Sequence, residues 1–141
     1  MGINIPEKWT VFGEPAFQYA YTKIQAGENM KWWCYFPVLK AENMLAGSCG
    51  YKGEPLNGVV EIGYEVAEKY RGLGLATEMA MLLVMNALKD PAVQCVQAHT
   101  LATENESVSV LRKCGFIMRE EVNDPDDGNL WRWELAKKKD N

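Results

Sequence analysis

Between Val59 and Leu88 one periodicity gives way to another across a short glycine-containing link, and that handover limits the folds open to the chain. Val59 to Val66 (VVEIGYEV) alternates, with Val60, Ile62, Tyr64 and Val66 on one face and Glu61, Gly63 and Glu65 on the other. This is the pattern of a strand with one polar face. A polar connection from Ala67 to Arg71 leads into Gly72-Leu73-Gly74, and Leu75 to Leu88 is then apolar nearly all round. A helix apolar on every side is expected to be buried.

The flanking sequence supplies more elements of both kinds. Glu14 to Ala26 carries Phe17, Tyr21 and Ile24 at helical spacing with Gly27 as a stop, which predicts a first helix. Lys31 to Lys40 and Leu45 to Lys52 suit strands joined by a turn over Lys40 to Met44. Pro91 ends the central helix, and Val93 to His99 reads as the next strand. Glu104 to Cys114 is a shorter amphipathic helix closed by Gly115. Phe116 to Val122 and Leu130 to Leu135 form a hairpin around turn-forming residues 123–129. This order of elements implies a mixed sheet with helices on its faces.

With 141 residues and 48% hydrophobic composition, the chain is expected to fold as one domain with a real core. Fifteen Lys and Arg against 19 Asp and Glu leave a net charge of −4. That balance argues against a nucleic-acid partner, whose affinity comes from clustered positive charge. Cys34, Cys49, Cys95 and Cys114 form no C-x-x-C pair, so they read as reduced thiols and not as a zinc or redox motif. No stretch reaches the ~18 apolar residues of a membrane span. The expectation is a cytoplasmic protein, monomer or homodimer, with no metal and no membrane partner.

The link itself carries the chemistry. Tyr70 to Glu78 (YRGLGLATE) places small residues between a strand end and a helix start. Backbone N–H groups without intrahelical partners converge there at the positive end of the helix dipole, which makes an anion site. A Walker loop is excluded because Leu75 and Ala76 stand where Lys-Ser/Thr must follow. A dinucleotide fingerprint fits Gly72 and Gly74 but has Thr77 at the third glycine position, and five residues, 67–71, separate strand from glycine. A tight turn whose glycines only permit helix packing is the remaining alternative.

Arg71-Gly72-Leu73-Gly74-Leu75-Ala76 resembles the R/Q-x-x-G-x-G/A signature of the GNAT superfamily of acetyl-CoA-dependent N-acetyltransferases. Ser107 to Phe116 is similar to the S-x-x-V-L-x-K-x-G-F run of its ribosomal-protein (alanine) N-terminal acetyltransferase branch. The resemblance covers Val59 to about Leu135. It implies an α/β (α+β) fold: a mixed, mostly antiparallel central sheet with splayed parallel strands and helices on both faces. Acetyl-CoA would lie in the wedge between those strands. Its pyrophosphate would rest on the backbone N–H groups of Arg71, Gly72, Gly74, Leu75 and Ala76, with the Thr77 hydroxyl added, and its pantetheine arm would pair with the backbone of Tyr64 and Val66. Asn105 is a further contact to the cofactor by the same resemblance, although Asn105-Glu106-Ser107 is one residue shorter than the branch's N-x-x-S.

The implied reaction is direct attack of a neutral primary amine, on a protein N-terminus or a small molecule, on the thioester carbonyl. Amines are mostly protonated at neutral pH, so a base must take a proton. Glu61, on the polar face of the flanking strand, is the first candidate and Glu65 the second; both also read as ordinary solvated carboxylates. Many relatives place a Tyr in the last helix to meet the departing thiolate, but Leu111 stands there. In the branch that the sequence resembles, a Ser at the position of Ser107 takes this role, and the resemblance makes Ser107 the candidate acid, with helix capping as its alternative reading. The missing Tyr also keeps open a non-catalytic CoA-binding module.

His99, the only histidine, reads as structural in preference to catalytic. The acidic group Glu120, Glu121, Asp124, Asp126 and Asp127 reads as a solvated turn before it reads as a lure for cationic amines. Most of the rings of Trp32, Trp33, Trp131 and Trp133 read as core.

Overall fold

The computed structural model describes residues 3–6, 21–22, 25–27 and 29–138. Strands β1 (Cys34–Tyr35), β2 (Val38–Leu39), β3 (Met44–Leu45), β4 (Gly47–Tyr51) and β5 (Val59–Val66) precede helix α1 (Leu75–Leu88). Strand β6 (Cys95–Leu101), helix α2 (Glu106–Lys113), β7 (Ile117–Asp124) and β8 (Gly128–Ala136) follow. Six strands form one sheet in the order β1-β4-β5-β6-β8-β7, while β2 and β3 pair separately. Every neighbour in the large sheet is antiparallel except β5 beside β6. That parallel pair needs a crossover, and α1 provides it. The mixed, mostly antiparallel sheet expected from the sequence is present.

Helix α1 runs over the expected residues because Leu, Ala and Met dominate it and Gly74 at its N-cap takes the left-handed conformation, φ 82°. Helix α2 begins at Asn105, whose Oδ1 accepts from the Val108 amide at 3.0 Å. It ends in a Schellman motif, with Gly115 at φ 93° donating to Arg112 O and Phe116 donating to Leu111 O. Both helices pack on the same side of the sheet. Leu83, Val84 and Ala87 of α1 and Val108 and Leu111 of α2 close over Val60, Ile62, Val96, Ala98 and Trp133. The opposite face of β5 and β6 presents Glu61, Gly63, Glu65, Gln97 and His99, as strand alternation requires. The helix expected over Glu14 to Ala26 lies largely outside the described residues; Tyr21, Thr22 and Gln25 are helical.

Several expectations are corrected. Helix α1 is not buried all round: Met81, Leu82 and Met85 are exposed on its outer side, because a single sheet face covers only one stripe of it. Lys31 to Lys40 is not one strand. Met30–Trp32 forms a 3-10 turn that tucks the Trp32 ring edge-on against Tyr51 at 5.0 Å. Pro37, which has no N–H for a ladder, separates β1 from β2. Likewise Leu45 to Lys52 is broken at Ala46, whose amide turns to Pro37 O. β6 starts two residues later than expected, because the Val93 amide is spent on Asp90 O in the turn after α1. The final hairpin is longer and its turn tighter, with Asp124 accepting from the amides of Asp126 and Asp127.

Candidate active site

Strands β5 and β6 pair over three residues only, Val59 with Cys95, Val60 with Val96 and Glu61 with Gln97. Beyond that rung they part, β5 continuing to Val66 and β6 to Leu101. Donors and acceptors alternate sides along a strand, and the Ala67 amide goes to Ala46 O on the β4 side at 2.7 Å. The N–H and C=O of Tyr64 and Val66 therefore face the gap. The Val66 carbonyl accepts from Arg71 Nε at 3.2 Å.

At the open end of the gap lies the glycine loop. Ala67, Tyr70 and Met79 are buried with Ala46 and Val66 in a small second core, and the Tyr70 hydroxyl donates to Glu42 Oε2 at 2.7 Å. Those contacts anchor the loop from behind. In front, the first intrahelical bond is Glu78 N–H to Gly74 O. The amides of Gly72, Gly74, Leu75, Ala76 and Thr77 thus have no backbone acceptor among the described residues. Gly72 and Gly74 are both left-handed, and a Cβ on either would meet nothing within 4 Å. Open amides at a helix N-terminus with no side chain in front of them fit a diphosphate. The Arg71 amide donates to Glu68 O at 3.4 Å.

On the polar face, at the rung where the strands part, Glu61 is the hub of a cluster. Its Oε1 accepts from Gln97 Nε2 at 2.9 Å and lies 3.0 Å from His99 Nδ1; its Oε2 meets Lys52 Nζ at 2.7 Å. The side chains of His99 and Glu61 are 22% and 16% exposed, so the pair is shielded but reachable. Burial pushes the Glu61 carboxyl up, but Lys52, Gln97 and His99 outweigh it and hold the group below the usual carboxylate value. Glu65 lies on the same face, opposite Ser48 of β4.

Ser107 is in the first turn of α2 and exposed. Asn105 makes the cap, so the capping alternative for Ser107 does not hold. The Asn105 side chain is committed at both ends, accepting from Val108 and donating from Nδ2 to Thr103 O at 3.0 Å. The Tyr64 hydroxyl donates to the Ser107 carbonyl at 3.4 Å, spanning from β5 to α2, and burial raises its phenol above the ordinary value.

The remaining candidates fall outside this cluster. Glu120 pairs with Arg132 at 2.8 Å and Glu121 accepts from Trp131 Nε1 at 3.2 Å, so the acidic group is a set of local contacts at the sheet edge. Trp32, Trp33 and Trp133 are buried in the core. The four cysteines are unpaired, and burial raises each thiol, that of Cys49 to about 11. Among the described residues no group of three or more His, Cys, Asp and Glu is placed to hold a metal, and no helix is long and apolar enough to cross a membrane. Lys52 and Gln97 were not anticipated. The only sequence signal for Gln97 is its position on the polar face of β6, alternating with Val96 and Ala98.

A parallel strand couple that pairs over only three residues, followed by a glycine loop with open space beside it, is the arrangement that the resemblance to the GNAT superfamily implied. The sequence matches the acetyltransferase (GNAT) domain over residues 6–117, and the chain belongs to the GNAT family. A curated relative, the uncharacterized N-acetyltransferase YjdG of Bacillus subtilis (strain 168), is 28% identical over 106 residues, 74% of this chain and 61% of that protein. The chain therefore spans about three fifths of that relative's length. The ribosomal-protein-S5-alanine acetyltransferase of Vibrio fischeri shares the fold with TM-score 0.74 at 15% identity, covering 92% of this chain and 79% of that one. RimL, a ribosomal L7/L12 alpha-N-protein acetyltransferase in complex with coenzyme A, gives 0.70 at 18% identity over 84% of this chain and 68% of that one. A spermidine N-acetyltransferase SpeG variant from Vibrio cholerae gives 0.72 at 12% identity, covering 86% and 73%.

Proposed function

We propose that the chain moves the acetyl group of acetyl-CoA to a primary amine, on a protein N-terminus or a small molecule. The observation that carries this reading is the parting of β5 from β6 directly beyond Glu61 and Gln97, with uncommitted loop amides at the open end. Named relatives that act on ribosomal-protein N-termini and on spermidine support an amine acceptor.

When bound, acetyl-CoA supplies an activated acyl carbon and a thiolate leaving group. The loop amides of Gly72, Gly74, Leu75, Ala76 and Thr77 bind its diphosphate, and the backbone of Tyr64 and Val66 lines the arm leading to the thioester. A backbone N–H of the Tyr64 to Val66 segment meets the developing oxyanion. Glu61 governs proton removal from the amine, and Ser107, whose hydroxyl is not used in capping, donates toward the departing sulfur. Asn105 acts by holding the first turn of α2 in place.

Thiol release from acetyl-CoA in the presence of an alanine-terminated peptide, spermidine and simple alkyl amines tests the proposal. Turnover on one class, lowered by Ser107→Ala, supports it. Tight coenzyme A binding with no turnover on any amine assigns the chain instead to a binding module, the reading that the buried Leu111 at the place of the relatives' Tyr favours.

A further inference from the structure

Glu61 is poorly suited to take a proton itself. Both of its oxygens already accept hydrogen bonds, from Gln97 and His99 on one and from Lys52 on the other. A carboxylate satisfied in this way is a weakened base, because each donor stabilises the charged form. It is, however, well suited to orient an imidazole. A charged carboxylate only accepts, so the His99 nitrogen facing it, Nδ1, carries the hydrogen and the lone pair of the neutral ring resides on Nε2. No hydrogen bond to Nε2 is made among the described residues.

His99 also occupies the right place. It lies on β6 two residues past the last rung shared with β5, on the face opposite the helices, at the start of the gap. The charged groups around it come from each neighbouring strand. Glu61 and Lys52 approach from the β5 and β4 side, and Asp124 of β7 interacts electrostatically with His99 and Lys52. Arg132 of β8 is its cross-strand partner, but Glu120 and Glu134 both engage that guanidinium.

We propose that His99 is the group that takes the proton from the acceptor amine, and that Glu61 is a positioning residue that fixes its tautomer. This rests on the transferase reading above and names the base within it. The amine nitrogen bonds to the acetyl carbonyl carbon, its proton passes to His99 Nε2, and the C–S bond breaks with its electron pair leaving on sulfur. The sulfur is released as the thiol after taking up a proton.

Because the chain has a single histidine, its imidazole nitrogens can be observed by 15N NMR without ambiguity, with no cofactor present. The wild-type neutral ring is expected to carry its hydrogen on Nδ1, with that preference lost in Glu61→Ala and kept in Glu61→Asp. In kinetics, His99→Gln lowers kcat by roughly 10²- to 10⁴-fold. It leaves acetyl-CoA affinity within about threefold, a margin below the tenfold that ~1.4 kcal/mol produces. Glu61→Gln lowers kcat less than His99→Gln does. A ring protonated on Nε2 in the wild type, or full turnover by His99→Gln with none by Glu61→Gln, overturns the proposal. Failure of the wild-type protein to bind acetyl-CoA overturns the transferase reading itself, and the catalytic role with it. Binding with unaltered turnover in His99→Gln overturns the histidine alone.

Discussion

Glu61 and Gln97 form the last rung between the two parallel strands: their backbones are in register, and Gln97 Nε2 donates to Glu61 Oε1 at 2.9 Å. One pair therefore ends the ladder and begins the polar cluster. The side-chain bond closes the apex of the gap and holds the carboxylate that faces His99. The strand ends beyond it lead to the glycine loop, so the site's two working parts are both set by where this ladder stops.

The loop gives the first prediction. Gly74 sits at φ 82° with open space beside it. Gly74→Ala is expected to cost about 1–2 kcal/mol through left-handed strain without disturbing the core. Acetyl-CoA affinity, measured by calorimetry, should fall at least tenfold, a margin of ~1.4 kcal/mol. A lowered melting temperature with wild-type affinity would separate the loop from diphosphate binding.

Asn105 is expected to act through the helix. Asn105→Ala should cost about 1 kcal/mol of stability through loss of the α2 cap, with Asn105→Asp or Asn105→Ser recovering most of it. Affinity for acetyl-CoA should change by less than threefold. A large affinity loss that the Asp and Ser variants do not recover would make Asn105 a direct contact.

Acid should weaken the fold partly through Glu61. Its native carboxyl is held below the ordinary value, so the native state keeps it charged where the unfolded chain takes up a proton. The stabilisation is complete above the unfolded value of roughly 4.3 and is lost as pH falls through the depressed native value. Denaturant titrations at a series of pH values should show a shallower acid slope for Glu61→Gln than for wild type. Identical slopes would contradict the role given to Lys52, Gln97 and His99.

The core beneath the cluster is held by a buried bond from Trp133 Nε1 to Thr100 Oγ1 at 3.0 Å. Thr100→Val strands the indole N–H and should cost about 1–3 kcal/mol, whereas Thr100→Ser keeps the acceptor. Equal melting temperatures for the Val and Ser variants would show that the bond contributes nothing.

The strand β5, the helix α1 and the glycine loop between them were legible because their signals are local: alternation, helix-forming composition and paired small residues. The Lys31 to Lys40 segment misled because aromatic residues favour strands on average, whereas here Trp32 and Trp33 turn inward and Pro37 interrupts pairing. The exposed stripe of α1 was hidden because composition does not reveal how many layers cover a helix. His99 was set aside for a deeper reason. Its meaning depends on facing Glu61 across 38 positions, and the register of two parallel strands joined by a helix leaves no trace in either strand's own residues. Lys52 escaped notice for the same reason.

The most direct measurement of the central claim is a 1H–15N correlation spectrum of the 15.9 kDa chain titrated with acetyl-CoA. The amides of Gly72, Gly74, Leu75, Ala76 and Thr77 should move most, together with those of Tyr64 and Val66 along the gap. If saturating acetyl-CoA shifts other residues while these seven amides stay in place, the ligand binds elsewhere and the account of the site is wrong.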